Sequence, residues 1–524
     1  MTTGTPQISG SLSSLLTSMG VKDVNAFVAE VQKSQANKLP LNDIVGDALA
    51  KSTFAQSGSA TSGLTYYDLE LGAKFVYPVL TPLRNEIPRI SGKGGIQAAW
   101  RAVTGVNTTG LRIGVSGGNR GAVQAVSTAD YTASYKGIGL ETSVDFEAQY
   151  AGMNFDDVRA IGAKVGLEAT MLGEEPLLLG GNTSVPLGTT PTPTATGGTT
   201  GGGLSDGTYS VICAALSLDA MINGSVAGGV QGSITRTNAD GSTDTFGGGT
   251  AKLSAAGSAE LTAGTAVQKV TATLAAPVAG AAGYAWFWGA AGAEVLGAIT
   301  SINSYVIIAA AAGTQTAASL GAADNSTNNL VFDGLIYQCV KSGSNAYVRG
   351  LATGVGGVGT TLTGDGAGGI VEIDAALKDR WDNYRLGFDT MWVGSQVAQD
   401  IGKKILDGTA TAAQRFVFNA EQSALGGGIM VTTYRNKFSM GGANIINIRI
   451  HPNMPAGMIL FTSKTLPYPV SNIGNLMQVR TRQDYYQIEW PLRARRYETG
   501  VYADEVLQHY FPPSMGIIYN IAAG

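Results

Sequence analysis

A run of threonine, proline and glycine at residues 189–203 (TTPTPTATGGTTGGG) interrupts the chain and limits what it can fold into. Such text is linker chemistry, with too little apolar side chain to hold a core. Beyond it, residues 204–313 alternate short β-branched and aromatic runs with turn residues. About seven strands are expected there, at 209–215, 229–235, 251–254, 267–274, 284–288, 295–299 and 305–309, which suits an antiparallel β-sandwich. A second Gly/Thr/Asn-rich stretch, 313–329, closes the segment, and mixed α/β text resumes at Leu330 (LVFDGLIYQCV). The reading is a self-contained all-β insert, flanked by flexible tracts and projecting from a host fold.

Ahead of the linker, residues 1–65 read as an arm. Val24, Phe27, Val28 and Val31, after a cap at Asp23, and then Leu41, Ile44, Val45 and Leu49 mark two short amphipathic helices. Helices so short cannot bury both stripes by themselves, so the arm is expected to lie across something else. An extended, proline-punctuated stretch at 66–88 leads to Gly-rich strands at 91–136, a long hairpin carrying Lys93, Arg101, Arg112 and Arg120. A two-stranded ribbon without a core needs a neighbour to lie on. Ile138, Leu140, Val144 and Phe146 then alternate as a half-buried strand. Val158, Ile161, Val165, Ala169 and Leu172 keep one face of a helix capped by Asn154 and ended by Glu174, Glu175 and Pro176. At about 20 residues it would be roughly 30 Å long, a candidate spine.

After the insert, Ile373, Leu377, Trp381 and Tyr384 describe one helix, and Ser395 caps another with Val397, Ile401 and Ile405. Strands at 445–450 and 458–461 flank the turn HPNMPAG and read as a hairpin. Residues 485–490 and 516–521 are strand-like again.

Charged residues are only 14% of the chain against a usual ~25%, so the surface is either neutral and Gly/Thr-rich or largely covered by other subunits. A net charge of −4 gives no global reason to bind nucleic acid tightly, so DNA contact should be local and sequence-blind. Cys213 and Cys339 are the only cysteines, so no disulfide framework or paired-cysteine zinc site is expected. Residues 1–11 lack a basic start and an apolar run, so no secretory leader is expected. The uncharged stretch 271–293 is broken by Pro277, Gly280, Gly283 and Gly289, and its aromatics Tyr284, Trp286 and Trp288 fall at period two, as in a strand.

Four motifs invite a functional reading. The string GVGGVG at 354–359 has the form of a dinucleotide loop, but more Gly/Thr-rich text follows it, so it reads as a mobile loop. His451 and His509 are the only histidines, which rules out a histidine metal cluster, and no G-x-S-x-G elbow accompanies them. Asp156-Asp157 and Glu174-Glu175 sit at opposite ends of the spine. The first pair suits the helix dipole; the second opposes it and is expected to meet a partner or water. Arg480, Arg482, Arg493, Arg495 and Arg496, interleaved with Tyr485, Tyr486 and Trp490, are closest to a nucleic-acid patch. Their alternation with Asp484, Glu489 and Glu498 favours intersubunit salt bridges.

The order of these parts, with LGEEPLLLGGN ending the spine, Phe332-Asp-Gly-Leu335 restarting the host, Trp392-Val-Gly-Ser395 entering a helix and Asn453-Met-Pro-Ala-Gly457 ahead of Met458-Ile-Leu-Phe461, resembles the Hong Kong 97-type major capsid fold of tailed phages. The resemblance covers roughly 390 residues, the insert excluded. It implies an α+β fold with an N-arm at 1–65, a peripheral domain with its spine at 66–90 and 137–186, and an E-loop at 91–136. Linker plus insert take 187–325, an axial domain 326–480, and 481–524 return to the peripheral domain. The insert resembles immunoglobulin-like or fibronectin type III-like modules through AGAAGYAWFW at 279–288, without their cysteine pair; it is expected to be a surface decoration or a clamp between capsomers, and removal of 204–313 is expected to leave shells able to form. The resemblance implies a structural protein of the virion, not an enzyme, assembled in the host cytoplasm into hexamers and pentamers around double-stranded DNA. It implies no cofactor and no membrane, with scaffold, portal and decoration proteins as further partners. Expected subunit contacts are Lys93, Arg101, Arg112, Arg120, Glu174, Glu175, Arg493, Arg495 and Arg496. Some members cross-link subunits through a lysine and an asparagine; Lys93 lies in the right loop, but no partner matches, so no cross-link is expected. An encapsulin-type compartment and a secreted Gly/Thr-rich adhesin are the competing readings.

Overall fold

The computed structural model describes residues 77–106, 114–121, 123–153, 156–406, 431–439 and 444–524. The arm at 1–65, Arg112 and the Asn154 cap lie outside them. Chain order opens with a short helix, α1 (Pro82–Glu86), and β1 (Arg89–Ser91). The expected hairpin follows as β2 (Gln97–Val106) and β3 (Val126–Ser134), antiparallel from Gln97↔Ser134 to Val106↔Val126. Then come β4 (Lys136–Asp145), α2 (Phe146–Gly152) and the long helix α3 (Val158–Gly180).

The cap of α3 is Asp157, whose carboxylate accepts the N–H groups of Arg159 and Ala160 at 3.1 and 3.2 Å. A carboxylate there also meets the positive end of the helix dipole. At its other end the helix does not stop at the expected acidic pair but runs through Pro176 to Gly180. An interior proline costs about 3 kcal/mol, whereas burying Leu178 and Leu179 completely is worth about 3–6 kcal/mol, so the helix continues. Gly162 and Gly166 let α3 lie close on β4: a Cβ there would sit 3.3 Å from Val144 and 3.2 Å from Thr142.

The Thr/Pro/Gly run is not a free tether, for Thr194–Gly198 is a strand, β5. β6 (Gly207–Leu216), α4 (Leu218–Asn223), β7 (Ile234–Thr237) and β8 (Thr243–Phe246) follow. Next are β9 (Gly257–Leu261), β10 (Lys269–Thr273), β11 (Gly283–Gly289), β12 (Val295–Thr300) and β13 (Ser304–Ile307). They form a three-stranded sheet, β13-β10-β5, a four-stranded sheet, β12-β11-β6-β9, and the separate hairpin β7-β8. The strands expected near 209–215, 267–274, 284–288, 295–299 and 305–309 are present. That at 229–235 shrinks to Ile234–Thr237, and 251–254 contributes only an isolated bridge at Lys252.

Val211, Cys213 and Ala215 of β6, Tyr284, Trp286 and Trp288 of β11, and Val270 and Ala272 of β10 share one core. The other side of the four-stranded sheet, through Ala214, Leu216, Ala285, Phe287 and Leu296, packs on Val230 and Leu320. Burial on both faces is why β11 reads as a continuous apolar run. No described helix is long and apolar enough to cross a membrane.

The entry and exit of this region are stitched together. Asn182 donates its side-chain N–H to the Ser326 carbonyl at 2.9 Å, and its own carbonyl accepts the Asn328 N–H at 2.7 Å. The Leu187 and Gly188 N–H groups end on Ser326 Oγ and Asp324 Oδ2 at 2.9 and 2.7 Å. Short polar side chains that look like linker chemistry here satisfy backbone groups in a buried crossing.

The rest of the chain supplies α5 (Leu335–Val340), β14 (Tyr347–Gly350), α6 (Val371–Tyr384), β15 (Thr390–Val393) and α7 (Ser395–Leu406). Then come β16 (Thr433–Asn436), β17 (Asn444–Ile450) and β18 (Ile459–Thr462). β19 (Met477–Glu489), β20 (Arg496–His509) and β21 (Gly516–Tyr519) complete it. A mixed six-stranded sheet has the order β14-β21-β18-β15-β17-β16. The strands either side of the HPNMPAG turn are therefore not a hairpin, because the fully buried β15 (TMWV) lies between them, parallel to β17 and antiparallel to β18. The second mixed-direction sheet, β1-β19-β20-β4, carries α3. Residues 516–519 belong to the six-stranded sheet, so the return to the α3 sheet ends with β20 and does not extend to 524.

The GVGGVG run is a packed turn against the insert and not a mobile loop. A Cβ on Gly356 would lie 2.5 Å from Thr271, and one on Gly357, at φ +78°, 2.1 Å from Val306. Beside it Asn520, at φ 63°, accepts the Asn303 N–H at 2.9 Å and donates to Asn303 Oδ1 and the Leu351 carbonyl at 3.1 and 2.7 Å. Asparagine tolerates this left-handed geometry better than most residues. Asn520→Ala would orphan these buried partners and is expected to cost about 3 kcal/mol, seen as a lower denaturation midpoint at unchanged m-value.

Candidate functional site

Among the described residues, the β2-β3 hairpin meets the body near its base. Ala98 is buried there, and the Trp100 ring stacks on Tyr131 at 5.8 Å and meets Tyr510 edge-on at 6.1 Å. Farther out, Val103 is 68% exposed, Val126 59% and Val123 90%. Arg101 holds Asp130 across the two strands at 2.5 and 2.8 Å and draws its carboxyl below the usual range, so this expected subunit contact already has an acid within the hairpin. Lys93, in the turn before β2, and Arg120, near the tip, are exposed.

A second exposed surface lies where β19 turns into β20. Trp490 and Leu492 face solvent there beside Arg493. Arg495 reaches Glu147 of α2 at 3.3 Å, and Arg496 reaches Glu498 at 3.2 Å. Arg159 stacks over Tyr497 and approaches Glu489 at 3.3 Å. The alternating charges that suggested bridges between subunits are thus largely paired within one chain. Among the described residues no ion pair holds Lys93, Arg120 or Arg493.

Glu174 and Glu175 depart furthest from expectation. Their side chains are 0% and 1% exposed, and they meet partners of their own chain instead of a neighbour. Glu175 accepts the Leu83 and Arg84 N–H groups at 2.7 and 2.8 Å, capping α1, and meets His451 Nε2 at 2.7 Å. His451 Nδ1 accepts the Asn453 N–H at 3.1 Å, which leaves the ring proton on Nε2, facing Glu175. Glu174 accepts Arg84 Nε at 3.2 Å and is also bonded by Arg89 and the Tyr485 hydroxyl. Arg89 reaches on to Asp484 at 2.7 Å and Glu505 at 2.6 Å, with its guanidinium over the Tyr485 ring. Glu86, at the far end of α1, pairs with Arg449 and, at 3.0 Å, with Lys464. One five-residue helix is thereby tied to α3, to the α3 sheet and to the six-stranded sheet.

The remaining reactive groups are sealed in. His509 Nδ1 accepts the Phe511 N–H at 3.2 Å, and burial pushes the ring down to about 3. Burial also pushes the Cys213 and Cys339 thiols up. Among the described residues no group of three metal-ligating side chains gathers.

No family model and no curated protein matches the chain. Among solved structures it is similar to the capsid of Myoviridae phage XM1, at 10% identity over 86% of this chain and 95% of that one, with a TM-score of 0.37. It is similar to the capsid of an empty GTA particle at 9% identity, over 88% and 96%, with a TM-score of 0.38. The holo-SrpI encapsulin complex from Synechococcus elongatus PCC 7942 gives 9% identity over 86% and 93%, with a TM-score of 0.36.

Proposed function

We propose that this chain is a shell-forming subunit, the major capsid protein of a tailed double-stranded-DNA phage with a Hong Kong 97-like fold, and that its work is mechanical. The observation that carries the reading is the β2-β3 hairpin, which leaves the body with valines exposed and no core of its own. A two-stranded ribbon is marginal in water, so a sister molecule is the natural cover. The order of hairpin, strand, long helix and mixed domain read from the sequence supports it. In this reading the subunits form hexamers and pentamers of an icosahedral shell, assembled in the host cytoplasm, with packaged DNA touched without sequence preference. Lys93 and Arg120 keep exposed charges for such contacts, while Arg493 lies near enough to Asp240 to draw its carboxyl down. The insert, taken as immunoglobulin-like, serves as a surface decoration or a clamp between capsomers. Scaffold, portal and decoration proteins complete the set of partners.

The test is negative-stain microscopy of the purified chain beside Val103→Asp/Val126→Asp. Exposed positions like these shift stability by only about 0.5 kcal/mol each, so the variant should fold and fail to form particles. Particles from the variant at the wild-type yield would refute the hairpin's role. Monomers alone from concentrated wild-type protein would refute the function.

A further inference from the structure

The ionic cluster around α1 contains one contact that opposite charges do not explain. Glu505 of β20 and Glu174 of α3 are two carboxyl groups with fully buried side chains, and both are bound to the one guanidinium of Arg89. Glu174 has donors on each oxygen: Arg89 on Oε1, Arg84 and Tyr485 on Oε2. Glu505 is different. Its Oε2 accepts from Arg89 at 2.6 Å, while its Oε1 is buried with no partner at all. A buried acceptor without a donor is destabilising, and a proton on that oxygen removes the charge that burial penalises and turns the acceptor into a donor.

We propose that Glu505 keeps its proton in the folded chain, and that this proton is a latch holding the strap formed by α1 and β1 against the end of α3. With it, the cluster balances: Arg84 and Arg89 against Glu174 and Asp484, with Tyr485 and Glu505 neutral. Without it, two carboxylates face one another in a site closed to water, with only Arg89 between them.

The other charged groups on the surrounding elements point elsewhere. Glu175 is turned to His451 and α1, and Arg482 is paired with Asp504 at 2.6 Å. Lys136 lies opposite Glu505 in the β4-β20 register, but its ammonium bonds the Asn329 carbonyl. Burial, and then the charge of Glu174, push the Glu505 carboxyl from its ordinary 4.5 up to about 8. The folded chain therefore holds a proton that the unfolded chain releases. The stabilisation is complete below about 4.5, declines as pH rises, and is gone once pH passes about 8.

The strap is what this proton controls, because three of its residues lead into the cluster: Arg84 and Arg89 by side chain, and Leu83 through the adjoining Glu175. β1 adds only a three-residue parallel pairing with β19. Alkaline conditions should loosen residues 82–91 while the sheets behind them stay closed.

Two measurements on the full chain test this. Infrared spectra of the wild type minus those of Glu505→Gln should show the carbonyl band of a protonated carboxyl at about pH 6, lost by about pH 10; the subtraction removes Asp219, whose carboxyl burial pushes up to about 6. Hydrogen exchange at 82–91, corrected for intrinsic base catalysis, should rise about tenfold or more between those pH values in the wild type and stay flat in Glu505→Gln, whose amide mimics the protonated acid. Absence of the band at the lower pH, or flat corrected exchange in the wild type, would overturn the latch. So would a Glu505→Gln chain that keeps the wild-type transition. If that variant does not fold, the two wild-type titrations decide: band loss and strap loosening at one midpoint uphold the latch, and separate midpoints overturn it.

Discussion

Excising residues 204–313 is expected to abolish folding of the remainder, against the expectation of a detachable decoration that the sequence encourages. The insert and its host share one continuous core, in which Leu218, Tyr284 and Trp286 of the insert belong with Leu179, Phe332 and Tyr337 of the host. The contacts are close. A Cβ on Gly180, the last residue of α3, would be 2.4 Å from Leu218, and one on Gly280 would be 3.3 Å from the Tyr337 ring. Tyr337, Phe332, Leu178 and Leu179 are all at most 2% exposed. Uncovering four such side chains forfeits about 6–12 kcal/mol, which is comparable with the whole stability of an ordinary domain. The Asn303–Asn520 amide pair would be lost as well. The check is solubility and cooperative thermal unfolding of the excised chain. A soluble product with a sharp transition and the parent helix content would show that the insert is an appendage after all.

Much of the architecture was legible because its signals are local. The hairpin showed in Gly-rich alternation, β4 in the spacing of Ile138, Leu140 and Val144, and α6 in Ile373 and Leu377. Each needs only a window of neighbours. What escaped depends on distant partners. Thr194–Gly198 becomes a strand because β10 offers it a ladder from Lys269 to Thr273, and nothing within the run announces that. The strands around the HPNMPAG turn looked like a hairpin, yet β15, more than 50 residues earlier in the numbering, inserts between them. Glu174 and Glu175 were misplaced for the same reason. A local reading sees two acids opposing a helix dipole and sends them to the surface. Their true partners, Arg84, Arg89, His451 and Tyr485, lie 85 to 311 residues away. Arg101 and Arg496 find acids close by in their own chain, Asp130 across the hairpin for Arg101 and Glu498 two residues along the same strand for Arg496.

Glu175→Ala should be the most damaging single change in the ionic cluster. Three donors converge on this carboxylate: the Leu83 and Arg84 N–H groups of α1 and Nε2–H of His451. The two N–H groups belong to the first turn of a helix, where no intrahelical acceptor exists, and the site is closed to water. Alanine leaves all three without a partner and opens a gap beside Trp392, whose ring packs edge-on against His451 at 5.8 Å. At about 1–3 kcal/mol for each orphaned group, softened by some local relaxation, the expected loss is about 3–5 kcal/mol. Glu175→Gln should recover only part of this, because its amide keeps one accepting oxygen and turns N–H towards a donor. Denaturant titration would read the loss, and hydrogen exchange would show it concentrated at Pro82–Glu86. Equal stability of the alanine variant and the wild type would mean that α1 is held by Leu83 packing and the Glu86 ion pairs alone, with the Glu175 cap contributing nothing.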